Sequence, residues 1–154
     1  MRRNGEHMSK TVYDYMNWAG IEAIVYGEET APRDVMGPRL TPDGVLIQGF
    51  FPGAKSAVVA VGNKKYQMEL EDEAGYYGVL IPGRRIPEYE FQIQTGDKER
   101  SFKDAYGFGG ILTEEDETAF LCGVYYEGYK KLGAHPMVMN GVSGTHFAVW
   151  APNA

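Results

Sequence analysis

A disulfide framework is the first thing this sequence excludes: Cys122 is its only cysteine, so no internal bridge can form and a reducing compartment is expected. Long apolar runs are missing too. No window approaches the roughly 20 apolar residues that a membrane-spanning helix needs, and the charged, polar start over residues 1–10 lacks the apolar stretch of a secretory signal. A cytoplasmic location with no membrane partner is the expectation. Positive charge is scarce: 15 Lys plus Arg stand against 21 Asp plus Glu, a formal net charge of −6. Nucleic acid and anionic lipid both need clustered positive charge. The basic pairs Lys64-Lys65, Arg84-Arg85 and Lys130-Lys131 are isolated, so no nucleic-acid partner is expected. His135 and His146, with Cys122 upstream, match no metal-ligand spacing. Gly107-Phe108-Gly109-Gly110 lacks the preceding strand and the lysine of a phosphate loop. No cofactor and no metal site is implied.

What the sequence does have is turn residues and aromatic rings. Its 154 residues include 20 glycines and 11 tyrosines, and a chain of this length buries about 70% of its unfolded surface. Between residues 45 and 104, short apolar or alternating runs cover 45–51, 56–61, 66–71, 76–81, 89–95 and 100–104. Pro52-Gly53, Gly62-Asn63, Glu73-Ala74-Gly75, Pro82-Gly83 and Gly96-Asp97 separate them. Strands of about five or six residues at this spacing predict a mainly β fold, an immunoglobulin-like antiparallel β-sandwich with flanking helices. Gly96-Asp97 reads as a tight hairpin turn.

Two stretches read as helices. Residues 11–26 carry Val12, Tyr15, Met16, Ala19 and Ala23 near helical spacing, with Thr11 as cap and Gly20 as a weak point. Residues 113–131 form the stronger pattern: Thr113 caps, Glu114 to Glu117 place negative charge on the positive end of the dipole, and Gly133 terminates. Phe120, Leu121, Val124 and Tyr125 would form its buried stripe, with Cys122 an inert buried thiol beside it.

The chain also repeats itself. Val35-Met36-Gly37-Pro38-Arg39 resembles Lys131-Leu132-Gly133-Ala134-His135, and Asp43-Gly44-Val45 resembles Asn140-Gly141-Val142. Residues 47–54 likewise resemble 147–154. The spacing is about one immunoglobulin-like sandwich, which predicts two tandem sandwiches of one kind, the second broken off after its opening strand.

The second copy carries a resemblance. Tyr129-Lys130-Lys131-Leu132-Gly133-Ala134-His135-Pro136, followed by the stretch from Asn140 to Ala154, resembles the start of the family 48 carbohydrate-binding module in glycogen branching enzymes. Asp34-Val35-Met36-Gly37 and Phe102-Lys103-Asp104-Ala105-Tyr106-Gly107-Phe108-Gly109 resemble the two ends of the extra N-terminal sandwich of the bacterial members. Arg39 and Ala105 depart from that pattern, standing where His and Pro are expected. The resemblance implies a lead-in at 1–33, a first sandwich at 34–105, a linker with helix at 106–132, and at 133–154 the first strand region of a second sandwich.

It further implies a parent enzyme that cleaves α-1,4-glucan and rejoins it through an α-1,6 bond, a retaining transglycosidase using an aspartate nucleophile and a glutamate acid/base. Those groups belong to a barrel of about 250 residues, so no catalytic residue transfers to this chain. An accessory role follows: weak binding of glycogen-type α-glucan, an influence on transferred chain length, and packing against the rest of the parent enzyme. A purely structural domain, or a free-standing binding module, are the alternatives.

Sugar contact requires aromatic faces with polar groups nearby. Among the available rings, Tyr76, Tyr77 and Trp18 are the candidate carbohydrate-binding residues. Alternation along a strand sends Tyr76 and Tyr77 to opposite faces, so at least one belongs to the core. Glu71-Asp72-Glu73, directly before Gly75, reads as a solvated turn rather than acid/base machinery. His135 reads as a hydrogen-bonding structural residue and Trp150 as core of a completed second sandwich. An uncovered strand carrying Phe147 and Trp150 would dock on neighbouring structure or mediate a dimer.

Overall fold

Alternating runs become strands because one face of each can be buried against a second sheet. The computed structural model describes residues 10–151. Its first sheet holds β1 (Gly37–Thr41), β2 (Gly44–Phe50), β5 (Glu69–Asp72) and β6 (Tyr76–Ile81), in spatial order β1-β2-β6-β5. The second holds β3 (Ser56–Val61), β4 (Lys64–Gln67), β7 (Glu90–Thr95) and β8 (Lys98–Lys103), in order β4-β3-β7-β8. All pairs are antiparallel. This is the immunoglobulin-like division into an A-B-E-D sheet and a C-F-G sheet, with β4 added at the edge of the latter. Thr95 pairs with Lys98 across the Gly96-Asp97 turn, where Gly96 takes φ 60°.

Between the sheets lie Val45, Ile47, Tyr77, Val79 and Ile81 from one side and Ala57, Val59, Phe91 and Ile93 from the other. Phe51 closes one end, its ring edge-on to Phe91 with centroids 4.9 Å apart. The outer face of the first sheet is covered as well. Helix α1 (Trp18–Tyr26) lies on it, and Ile21, Val35 and Tyr76 form a second buried cluster with Met16, Trp18, Ile24, Met36 and Phe50 around them. Hence β2 is buried at every position except Phe50, and its sequence is apolar on both faces, as a doubly covered strand requires. Two glycines permit this approach. A Cβ at Gly20 would meet Val35 Cγ2 at 2.6 Å, and one at Gly78 would meet Met16 Cε at 2.4 Å. Gly20, a weak point for an isolated helix, is thus what lets α1 pack.

Several expectations are corrected. The helix over 11–26 is two elements: a 3-10 turn (Val12–Tyr15), whose Asp14 carboxylate accepts from the Thr11 amide at 2.8 Å, and then α1. Asn17, not Thr11, caps α1, accepting from the Gly20 amide at 3.2 Å, and Gly27 closes it at φ 71°. The run 66–71 is two strands in different sheets, with the chain crossing at Met68. β1 had no counterpart in the sequence reading, because Pro38 masks it. As an edge strand it tolerates the proline.

Beyond Gly107 the chain forms a separate compact unit. Thr113 caps α2 (Glu114–Leu121): its hydroxyl accepts from the Asp116 amide at 3.3 Å, while the Asp116 carboxylate accepts from the Thr113 amide at 2.8 Å. Gly123, at φ 69°, ends this helix ten residues before Gly133. Leu121 is 75% exposed and Cys122 is exposed rather than buried. β9 (Gly133–Met139) and β10 (Val142–Ala148) follow as an antiparallel hairpin, and Trp150 stacks on Phe120 with centroids 4.4 Å apart. His135 Nε2 lies 2.9 Å from the Leu132 carbonyl, the structural contact expected of it.

The internal repeat is real in three dimensions. Each copy opens with a 3-10 turn, Pro32–Asp34 or Gly128–Lys130. Met36 N donates to Pro32 O at 2.8 Å in the first and Leu132 N to Gly128 O at 2.7 Å in the second. Gly37 (φ 87°) and Gly133 (φ 102°) then start β1 and β9, and a hairpin follows in both.

Candidate functional site

Tyr76 and Tyr77 are both buried, which corrects the expectation of an exposed ring at one of the two positions. Tyr76 is fully buried beneath α1, its hydroxyl donating to Val35 O at 3.1 Å and lying 3.3 Å from Gln48 Oε1. Burial pushes this phenol above its ordinary range, so it remains a neutral donor. Tyr77 lies between the two sheets and donates to Ala54 O at 2.8 Å. The strand alternation had sent the rings to opposite faces, but both faces are covered.

Trp18 is placed differently. It is half-buried at the first position of α1, and its ring packs against Tyr13 with centroids 4.5 Å apart and planes 40° from parallel. It forms one wall of a cleft of about 550 Å³, lined along α1 by Trp18, Ile21, Glu22, Val25 and Tyr26 and on the opposite side by Asp72 and Glu73. Positions 18, 22, 25 and 26 fall on one helix face by the i, i+4, i+7 rule, so helical spacing alone could have found Glu22 and Tyr26 beside Trp18.

The carboxylate wall is held by the backbone. A bulge between Leu70 and Asp72 turns the end of β5 out of register. Asp72 Oδ1 then accepts from the Ala74 amide at 2.8 Å, Asp72 O accepts from the Gly75 amide at 2.9 Å, and Gly75 O accepts from the Phe51 amide at 2.7 Å. Gly75 sits at φ 110°, where a Cβ would come 2.7 Å from Phe51 O. The reading of 71–73 as a solvated turn is therefore corrected in part. Glu71 is half-buried on the face covered by the lead-in turn, with Oε1 enclosed and, among the described residues, without a hydrogen-bond partner. Desolvation, helped by the Glu69 charge, holds its carboxyl above the usual range.

A second polar cluster fastens the end of the sandwich. Asp104 accepts from the Tyr89 hydroxyl through one oxygen and from the Tyr106 amide at 2.9 Å through the other. Burial raises the Asp104 carboxyl, while burial and the bond to Asp104 raise the Tyr89 phenol. With both oxygens occupied by structural donors, Asp104 holds the turn that leaves β8. Two smaller hollows, one on β3 and β7 around Gln92 and one on α2 around Thr118, present no aromatic ring among the described residues. Among the described residues, no group of three or more His, Cys, Asp or Glu is placed to hold a metal ion, and no helix is long and apolar enough to cross a membrane.

Residues 17–106 match the family described as alpha-1,4-glucan branching enzyme GlgB, N-terminal domain. The chain belongs to this family. The GlgB N-terminal match runs from the cap of α1 to the turn held by Asp104, taking in the sandwich and the helix that covers it. Over 137 residues the chain is 36% identical to the 1,4-alpha-glucan branching enzyme GlgB of Saccharophagus degradans, covering 87% of this chain and 19% of that protein. Among solved structures, type I pullulanase of Bacillus subtilis in complex with maltose is similar at 25% identity, with a TM-score of 0.37 over 47% of this chain and 12% of that one. Pullulanase of Paenibacillus barengoltzii in complex with maltohexaose and alpha-cyclodextrin is similar at 15% identity, with a TM-score of 0.39 over 51% and 15%.

Proposed function

We propose that this chain is the accessory N-terminal region of a 1,4-α-glucan branching enzyme, which positions glucan and shapes the length of the chains transferred. The observation that carries this reading is the GlgB N-terminal match across residues 17–106, which coincides with the unit built from α1 and the sandwich. The chain spans 19% of the length of its curated relative, so the chemistry of branching is assigned to the parent enzyme and not to these residues. The second hairpin, built like β1–β2, is read as the start of a second sandwich of the same kind. Phe147 and Val149, 75% and 83% exposed, give it a route to self-association that light scattering at rising concentration would register.

The experiment compares the parent enzyme with and without residues 1–107, measuring iodine staining of branched amylose and the chain-length distribution after debranching. A shifted distribution at retained activity supports the accessory role. An unchanged distribution with lowered thermal stability would assign the region a purely structural one. The 154 residues alone are expected to leave amylose staining unchanged.

A further inference from the structure

We infer that the cleft between α1 and the 72–75 turn is a binding site for a neutral carbohydrate, an α-1,4-glucan segment in contact with Trp18, Tyr26, Glu22, Asp72 and Glu73. The proposal rests on the accessory reading above and adds to it the place and the chemistry of contact. The cleft walls carry two kinds of group. One is aromatic: Trp18, backed by the ring of Tyr13, and Tyr26, 71% exposed at the other end of α1. The other is a set of carboxylates, Glu22 on the helix and Asp72 and Glu73 on the turn. Ionised carboxylates only accept hydrogen bonds, so the ligand must bring donors, and among the described residues no lysine or arginine lines the cleft to hold an anion. Apolar C–H faces for the rings and hydroxyl donors for the carboxylates are together the chemistry of a pyranose. Phosphate, nucleic acid and anionic lipid are disfavoured by the same three negative charges.

Geometry adds to chemistry. Trp18 and Tyr26 are eight residues apart on α1, about 12 Å along its axis at the α-helical rise, so the wall is longer than one sugar ring. Both walls are set before any ligand arrives. Trp18 is fixed by Tyr13 and by the cluster around Ile21, and the 72–75 turn by the hydrogen bonds to Gly75 and Ala74. A preformed site spends less binding energy on ordering. The site is nevertheless open and shallow, so binding in the millimolar range is expected.

The test is a proton–nitrogen NMR titration of the full 154-residue chain with maltoheptaose. The Trp18 indole N–H and the amides of Glu22 and Glu73 should shift together and saturate with one constant. Tyr26→Ala, an exposed position whose loss spares the fold, and Trp18→Ala should each weaken that constant by about tenfold, a step of 1.4 kcal/mol. Gln92→Ala on the second sheet should leave it unchanged. Shifts confined to Gln92 and Gln94 would overturn the cleft while leaving the accessory role intact. Shifts of Trp18 with tetramethylammonium but not with maltoheptaose would make it a cation site and overturn the assignment. No shift with either ligand would also overturn it, and the chain-length distribution of the parent enzyme would then decide the accessory role separately.

Discussion

The hairpins β1–β2 and β9–β10 begin alike and end in opposite surroundings. Both follow a 3-10 turn, both start on a glycine at positive φ, and both pair antiparallel across a two-residue turn. Yet β2 is buried at all but one of its positions, whereas β10 has none buried. The matched residues show the contrast: Ile47 is fully buried, while Phe147 is 75% exposed. Backbone shape in both copies is therefore set locally, by turn chemistry and hydrogen bonds within a few residues. Burial is set by what covers the hairpin, here α1 on one side and the second sheet on the other. A hairpin by itself is marginal, so the two should differ sharply in how much a core residue matters.

The largest test removes a side chain from each. Ile47→Ala should destabilise the first unit by about 2–5 kcal/mol, the range for truncation in a packed core. Phe147→Ala should change the second by no more than about 0.5 kcal/mol, as expected of a surface position. Residue-resolved hydrogen exchange in β2 and β10 reads the two separately. A large cost at Phe147 would show that β10 is covered in solution.

The next test exchanges the starting glycines. Positive φ strains any L side chain at either position, by about 1–3 kcal/mol. At Gly133 nothing lies nearer to an added Cβ than His135 Nε2 at 4.0 Å, but at Gly37 the Tyr106 Cβ lies at 2.7 Å. Gly133→Ala should thus cost about 1 kcal/mol and Gly37→Ala about 3 kcal/mol, at the two ends of that range. Urea unfolding of each variant, followed through its own unit, gives both values. Equal costs would mean that the Asp104–Tyr106 turn yields without effort.

How much of this the sequence showed follows the same division. Strands bounded by Gly and Pro were legible to within a residue at 56–61 and 76–81, because alternation and turn chemistry are local. The break at Met68 was not, since nothing nearby announces that the chain changes sheets there; the Met68 amide bonded to Ala57 O at 2.9 Å shows it only in three dimensions. The site fared likewise. Trp18 lines the cleft; Tyr77 points between the sheets, the core side that alternation requires for one of the pair, whereas the burial of Tyr76 depends on α1 folding back over the outer face. The apolar residues on both faces of β2 were the available sign that the sheet is covered twice. Tyr13, Glu22, Tyr26, Asp72 and Glu73 come together only once Gly20 and Gly78 let the lead-in settle on the sheet.

Acid should separate the two regions in opposite directions. In the second unit Lys131, the Thr113 amide and the Tyr125 hydroxyl hold the Asp116 carboxyl far below its ordinary range. A depressed pKa contributes stability that is present above the unfolded value and lost as pH falls through the folded one. In the first unit burial raises Glu71 and Asp104 instead, so their protonation favours the fold, while Asp14, on the exposed first turn, runs the other way. Amide protection across 114–131 should therefore decline on acidification below the usual carboxylate range before protection in β2 and β6 does. Asp116→Asn should remove most of that sensitivity. Earlier loss in β2 would show that Asp14 outweighs the buried carboxyls.

The smallest expected effect isolates one of those carboxyls. Glu71 packs beside Gly78 under the lead-in turn, its Cγ 3.6 Å from where a Gly78 Cβ would stand, with Oε1 enclosed and unpartnered among the described residues. Its raised pKa arises first from desolvation and second from Glu69. The sign follows: a raised carboxyl contributes stability below its unfolded pKa, and that contribution is lost as pH rises through the folded value. At neutral pH the ionised Glu71 therefore costs stability. Glu71→Gln keeps the shape and removes the charge, so it should raise the Tm slightly at pH 7, and the gain should vanish once acidification has protonated the wild-type carboxyl. Glu69→Gln relieves only the lesser, electrostatic part and should give a smaller gain. A Tm lowered at pH 7 by Glu71→Gln would mean that the carboxylate is ionised for a purpose, held by a partner that its position beside the lead-in turn does not show.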